Sequence, residues 1–280
     1  MLEQIEAWED LSRCLLILAD VADDTAAKVD YLRRVSEIYI DKMSSPEQGF
    51  VTNGRALRLD AANPEIMADL EQIADVLDAW GDLDDLLVGI AKEAKLEDET
   101  KKLLWLKIAE VRHARMADKA PAAIEAYRKV IAIEPGNLHA LNALEALYQE
   151  AGNWQDLQEI FKQKIEVVVD EGEKLQIWFR LAMLQNEMLD APDEAITCYR
   201  EVLNLSPGNA EALGYLEKLY ERQQRWTDLA DNLQAQLDMA GDPSGTVALK
   251  LRLAALREEK MKENESAIEI VRKDGRIVPA

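Results

Sequence analysis

Apolar residues recur at three- and four-residue steps along almost the whole chain, most clearly between residues 174 and 237. Within 174–189 they fall at Leu175, Trp178, Leu181, Ala182, Leu184 and Met188. This spacing places them on one face of a helix. The stretches 190–205, 209–224 and 225–237 carry the same pattern, and nothing before residue 268 alternates at period two. The sequence therefore predicts four short amphipathic helices joined by tight turns.

The four-helix pattern belongs to an internal repeat of about 73 residues. The motif W-x-D-L begins at Trp8, Trp80, Trp154 and Trp226, at almost equal spacing. The other two tryptophans, Trp105 and Trp178, are separated by the same interval. A turn sequence containing Asn-Pro or Pro-Gly-Asn lies at a constant distance before each of the last three motifs. This regularity predicts that the indoles pack between helices, and that Trp8 opens a helix whose own partner is missing.

Two helix pairs per repeat give roughly 34 to 39 residues per pair, which is the length of a tetratricopeptide repeat. The residues Trp178, Leu181 and Ala182 resemble the aromatic, leucine and small residue of that family's first helix. The second helix is similar through Ala195, Tyr199 and Pro207. The next pair matches at Leu216, Tyr220 and Trp226, but Glu217 and Leu229 replace small residues. The larger residues should splay the helices of these second pairs.

The resemblance covers about residues 8–268 and implies an all-α fold. It implies a right-handed superhelical solenoid of about six complete antiparallel helix pairs with incomplete ends. We predict that 1–268 form this domain, as a segment of a longer repeat protein, and that 269–280 form a non-repeat tail. In the tail, Asp274-Gly275 between Ile270-Val271 and Ile277-Val278 predicts either a hairpin or an extended segment.

The resemblance further implies a protein-interaction scaffold that binds an extended peptide or a helix in a concave groove lined by the first helix of each pair. Leu106, Phe179 and Met183 are the apolar positions there, and His139, Asn142 and Gln149 could bond a peptide backbone. The remaining predicted partner-binding residues are Gln72, Glu110, His113, Gln176, Lys218 and Arg222. Two alternatives stay open: an architectural spacer that associates end to end through uncapped faces, and a regulatory arm of a larger enzyme.

Charge narrows the choice of partner. The formal charge is −21, and residues 1–100 hold 24 acidic against 9 basic residues. Such acidity disfavours nucleic acid and anionic membranes, and it would steer a basic protein toward the N-terminal third. The N-terminus lacks the basic flank and apolar run of a signal peptide. We therefore expect a cytoplasmic protein.

The sequence contains no motif typical of a catalytic, phosphate-binding or metal-binding site. His113 and His139 are the only histidines and belong to no metal-binding pattern, and the sequence has no phosphate loop or nucleophile elbow. The acids Asp78, Asp82, Asp84 and Asp85 lack the spacing of a calcium loop, which favours a solvated acidic turn. We expect no enzyme activity and no cofactor, and we expect Cys14 and Cys198 to be buried without a disulfide.

Overall fold

The computed structural model describes residues 2–93, 95–241 and 243–272, and these form fifteen α-helices with no strand among them. The first repeat and the helix before it are α1 Leu2–Val21, α2 Thr25–Asp41, α3 Pro46–Leu59, α4 Pro64–Leu77 and α5 Trp80–Ala91. The second repeat is α6 Asp98–Arg115, α7 Ala120–Ile133, α8 Leu138–Ala151 and α9 Trp154–Val167. The remaining helices are α10 Glu171–Glu187, α11 Pro192–Leu205, α12 Ala210–Arg222, α13 Trp226–Met239, α14 Pro243–Leu256 and α15 Asn264–Arg272.

The repeat read from the sequence matches these helices. The three sets α2–α5, α6–α9 and α10–α13 begin at Thr25, Asp98 and Glu171, so the same interval separates successive sets. Each set holds two helix pairs, so the predicted all-α solenoid fold with six complete pairs is confirmed for the described residues. The second pair of a set is in less extensive contact than the first, both for α4 with α5 and for α12 with α13. The larger residues of these second pairs predict that difference.

Capping residues recur with the repeat and explain where the helices begin. The Asn63 side chain accepts from the backbone N–H of Glu65 and Ile66, at the start of α4. Asn137 and Asn209 occupy the same place before α8 and α12, and their Oδ1 atoms accept from Ala140 N at 3.0 Å and Ala212 N at 2.9 Å. These bonds satisfy N–H groups that a helix start leaves unpaired. The recurring asparagine therefore fixes the same helix start in all three sets.

The helices group into two compact units, Met1–Leu147 (unit 1) and Tyr148–Ala280 (unit 2). In unit 1 each helix from α1 to α7 packs on the next, and in unit 2 the same holds from α9 to α15. Fully buried leucines and isoleucines such as Leu70, Leu87 and Ile108 form the core of unit 1. In unit 2 the corresponding positions include Leu181, Ile196 and Leu216. A helix pair cannot bury its apolar face alone, so this stacking supplies the core.

The tryptophans pack as the repeat predicts. Trp105 is only 7% exposed, and the other five are partly buried. Cations lie over several indole rings: Lys129 Nζ is 3.7 Å from the ring centroid of Trp105, and the Arg115 guanidinium carbon is 4.5 Å from that of Trp80. The indoles thus pack between helices, and in several of them a cation covers one face of the ring.

Three expectations about the two ends of the chain are wrong or only partly tested. Trp8 does not begin a helix, because α1 already starts at Leu2 and lacks the positive-φ residue that lies two positions before Trp80, Trp154 and Trp226. Cys14 is exposed, since α1 buries only the face that meets α2, whereas Cys198 is buried and neither forms a disulfide. Ile270 and Val271 lie in α15, so the first arm of the predicted hairpin is helical. The remaining hairpin positions, 274–278, lie outside the described residues.

Candidate functional site

The twelve predicted partner-binding residues are all at least partly exposed, so none of them belongs to the core. Unit 1 holds Gln72, Leu106, Glu110, His113, His139 and Asn142 on α4, α6 and α8. Unit 2 holds Gln149, Gln176, Phe179, Met183, Lys218 and Arg222 on α8, α10 and α12. These helices are each the first of a pair, as the resemblance implied. The predicted residues therefore form one candidate surface on unit 1 and a second one on unit 2.

In unit 1, Leu106 lines an apolar pocket of about 340 Å³ between α4 and α6. Met67 and Leu103 contribute to the walls, together with Pro64 at the start of α4 and with Ala61 and Ala62 from the turn before it. We call this cavity the α4–α6 pocket. Its volume lies at the small end of the range found for ligand pockets. The pocket can therefore admit an apolar side chain from outside.

Charged side chains form a continuous row along one side of the α4–α6 pocket. Lys107 Nζ lies 2.8 Å from Glu71 Oε1 and 3.2 Å from Glu110 Oε2, and Glu110 Oε1 lies 3.2 Å from His139 Nε2. Partial burial disfavours the charge on Lys107, but its two carboxylate partners outweigh this and raise its pKa. Two carboxylates against one lysine leave the row acidic while His139 is neutral.

Tyr127 of α7 lies beneath this row and contacts both histidines of the chain. Its ring centroid is 6.3 Å from that of His113 and 6.4 Å from that of His139, with edge-on geometry in both cases. Burial, and to a smaller extent Glu110, raise the pKa of Tyr127 to about 12. The hydroxyl is therefore neutral at physiological pH, and Tyr127 acts as a fixed support for the polar residues above it.

In unit 2 the corresponding surface is aromatic. The rings of Tyr199 and Tyr215 stack at 5.2 Å with an interplanar angle of 8°, and Phe179 meets them edge-on at 5.4 Å and 5.7 Å. We call these three residues the unit-2 aromatic cluster. Tyr199 is fully buried beneath it, whereas Phe179 and Tyr215 are partly exposed. At the end of the same helices, Arg222 Nη2 donates to Asn186 Oδ1 at 3.3 Å.

Some predicted residues fall outside these two places. Gln72 lines a separate cavity of about 320 Å³ with Arg33 and Asp69. Gln149 and Gln176 belong to neither the α4–α6 pocket nor the unit-2 aromatic cluster. Sequence analysis missed Met67, Lys107 and Tyr215. Tyr215 stands one position after Gly214 and occupies the place of Ala143 in the preceding repeat, so the repeat register offered no reason to select it.

The acidic turn near α5 needs one correction. Asp84 is not solvated: its side chain is 3% exposed, and Arg112 donates to both of its oxygens, Nε at 2.7 Å and Nη2 at 3.2 Å. Lys119 Nζ lies 3.4 Å from the same carboxylate. In the described part of the chain, no three His, Cys, Asp or Glu side chains are placed to hold a metal ion. Among the helices described, none is long and apolar enough to cross a membrane.

Comparison with known proteins bears on the family. Residues 140–175, which span most of α8, all of α9 and the start of α10, match the family model described as tetratricopeptide repeat. This chain contains a tetratricopeptide repeat. The resemblance to this family that the sequence indicated is thereby confirmed, and the matched segment lies before Trp178, Tyr199 and Pro207. Among curated proteins, none matches the chain.

Solved structures similar to this tetratricopeptide-repeat chain include one reported as the functional characterization of pilF from Pseudomonas aeruginosa. It is 14% identical, with 90% of this chain and 95% of that chain covered and a TM-score of 0.34. A tetratricopeptide repeat protein from Parabacteroides merdae is 16% identical over 88% of this chain and 92% of its own, with a TM-score of 0.38. YrrB, titled a TPR protein with an unusual peptide-binding site, is 13% identical over 63% and 87%, with a TM-score of 0.36.

Proposed function

We propose that this protein is a non-catalytic scaffold that binds an extended peptide or a helix of another protein, with one candidate surface on α4 and α6 of unit 1 and another on α10 and α12 of unit 2. The family match supports the general role, because tetratricopeptide repeats are protein-interaction modules. The α4–α6 pocket is the observation that carries the finer proposal. It places an apolar opening beside exposed polar groups, and that combination is typical of a site for a side chain of a partner.

The partner's chemistry follows from the pocket and its rim. The walls formed by Met67, Leu103 and Leu106 favour an aliphatic side chain. The rim is acidic because the two negative charges of Glu71 and Glu110 outnumber the single positive charge of Lys107. Residues 1–100 carry the same excess, with 24 acidic against 9 basic residues. The partner segment should therefore carry a Leu, Ile or Met close to Lys or Arg, and its association should slow as salt is added.

A displayed peptide library selected on the intact chain tests this proposal. Selected peptides should combine an aliphatic residue with a basic neighbour, and L106S should weaken their binding roughly tenfold, since it places a polar group in the apolar opening. I17S is the matched control, because Ile17 is an aliphatic residue of α1 that is 57% exposed and lies outside the pocket. Circular dichroism should show both variants folded. Equal affinities of the folded L106S and I17S variants would overturn the proposal.

A further inference from the structure

The unit-2 aromatic cluster carries more rings than packing of the repeat requires. In the preceding repeat the equivalents of Phe179, Tyr199 and Tyr215 are Leu106, Tyr127 and Ala143. Only the buried tyrosine is common to both. Because α8 buries Leu144 with an alanine beside it, as α12 buries Leu216 beside Tyr215, the repeat packs without the two outer rings. Phe179 and Tyr215 are therefore additions to an already complete core.

The outer ring already attracts a cation. Lys218 Nζ lies 5.5 Å from the ring centroid of Tyr215. Lys218 is exposed, and within the described residues no carboxylate pairs with it. Its ammonium thus rests against a ring although the surrounding surface is rich in acids. Because Lys218 follows Tyr215 by three positions on α12, the helix brings the two together, and the contact shows that the open face of Tyr215 can accommodate a positive charge.

Acidic residues flank the cluster along the two helices. Glu211 precedes Tyr215 by one helical turn on α12, and Glu187 follows Met183 by one turn on α10. Both are exposed, and both are close enough to Tyr199 to act on its hydroxyl: burial, then Tyr215, Glu187 and Glu211, raise the pKa of Tyr199. A cation held at the rings would therefore have carboxylates on either side.

From these contacts we infer that the unit-2 aromatic cluster binds an arginine side chain of a partner protein, whose guanidinium stacks on Tyr215, beside Phe179, in place of Lys218. Arginine fits better than lysine because its guanidinium is planar, is more weakly hydrated and stacks on aromatic faces. The neighbouring Glu211 offers a carboxylate to the N–H groups that stacking leaves free. This inference rests on the proposed function, since it names the chemistry of a partner at the second surface.

Two short probes test the charge requirement on the full chain. The peptide Ac-Gly-Gly-Arg-Gly-Gly-NH₂ and its citrulline counterpart, which has the same shape without the charge, are titrated while the aromatic NMR signals of the tyrosines are followed. The arginine peptide should bind roughly fivefold more tightly or better. The double variant F179L/Y215A should abolish that difference. It keeps the fold, because Leu106 and Ala143 already serve at these positions in unit 1. Equal binding of the two peptides would overturn the inference.

Substitution of Lys218 provides a second and more specific test. If the ligand guanidinium displaces its ammonium, K218M should tighten binding of the arginine peptide, by roughly twofold to fivefold. K162M is the control, since it removes the same charge from α9, where Lys162 pairs with Glu159. Weaker binding by K218M would contradict the inference and indicate an acidic ligand instead. Neither test involves Leu106, so failure here is distinguishable from failure of the α4–α6 pocket proposal.

Discussion

The two cysteines show how the same residue type takes opposite roles on two helices. Cys14 lies on the solvent side of α1, whereas Cys198 lies on the inner face of α11. Burial is the main cause that raises the pKa of Cys198 to about 11. Because reactivity depends on the thiolate, burial and the raised pKa both protect Cys198. Helical periodicity alone could not separate the two, since both stretches are apolar and only Cys198 faces a second layer.

Alkylation distinguishes the two cysteines directly. At pH 8 iodoacetamide should modify Cys14 in the native protein and leave Cys198 intact, and in denaturant both should react; peptide mass spectrometry gives the extent at each site. The raised pKa also affects stability, because the folded protein favours the neutral thiol of Cys198. This thiol therefore contributes to the free energy of unfolding below pH 9, and the contribution is lost as the pH rises from about 9 toward about 11. Native-state labelling of Cys198 at the rate of Cys14 would contradict the structure.

The Asp84 and Arg112 pair shows what residue patterns cannot reveal. The two residues are 28 positions apart and belong to α5 and α6. In the sequence Asp84 stands in a run of acids that resembles a solvated turn, and nothing there indicates an arginine opposite. Arg112 also donates to the carbonyl of Ala122 at 3.0 Å, so it ties α7 to the same point. The pairing depends on how three helices pack, which local periodicity does not specify.

Removing one partner of this pair should be costly. D84N leaves Arg112 without its carboxylate in a buried place, and we expect a loss of about 3 kcal/mol in the free energy of unfolding. The double variant D84L/R112M should recover most of that loss, because neither charge is then buried alone. Urea denaturation of the three proteins provides the comparison. A double variant less stable than D84N would show that the ion pair itself is the main stabiliser.

At the scale of the element, the sequence predicted most helix starts, and the exception has a physical reason. Trp80, Trp154 and Trp226 each begin a helix and follow a turn, whereas Trp8 lies inside α1. A W-x-D-L motif therefore marks a helix start only where a turn precedes it. The recurrent Asn63, Asn137 and Asn209 were visible in the sequence, and their capping role could have been read from their position before each helix.

Close packing of α2 on α3 depends on a glycine. A Cβ built at Gly49 would lie 2.7 Å from Ile40 Cγ1, and the Ser36 hydroxyl donates to the Gly49 carbonyl at 3.0 Å. We expect G49A to destabilise the fold by about 1 to 3 kcal/mol, since Ile40 and the helices must shift.

The matched control for Gly49 is Gly214, which lies within α12 with no atom within 4 Å of its added Cβ. There alanine should stabilise the helix by about 0.5 to 1 kcal/mol, because it removes only the conformational entropy of glycine. Thermal denaturation of both variants tests the contrast. Stabilisation by G49A would mean that the two helices are not held at this separation.

At the scale of the whole molecule, the internal repeat made the fold predictable from the sequence. It predicted only some of the residues at the two proposed binding surfaces. The repeat register located the helix pairs, and from them the predicted residues Leu106 and Glu110 fall at one pocket and Phe179 at one aromatic cluster. Tyr215 was missed because it replaces Ala143 of the preceding repeat, and Met67 was missed because the repeat aligns it with Leu141 and Leu213, which are packing positions. Assignment of the site to particular residues therefore required the packed helices.

The most direct test of the scaffold claim is a methyl NMR titration of the intact chain with a peptide selected on it. We predict shift changes concentrated at Met67 and Leu106, which are partly exposed on α4 and α6 of unit 1. Ile17 and Val169, 57% and 91% exposed but placed elsewhere, should not move. Changes at Ile17 and Val169 with none at Met67 and Leu106 would contradict the scaffold proposal.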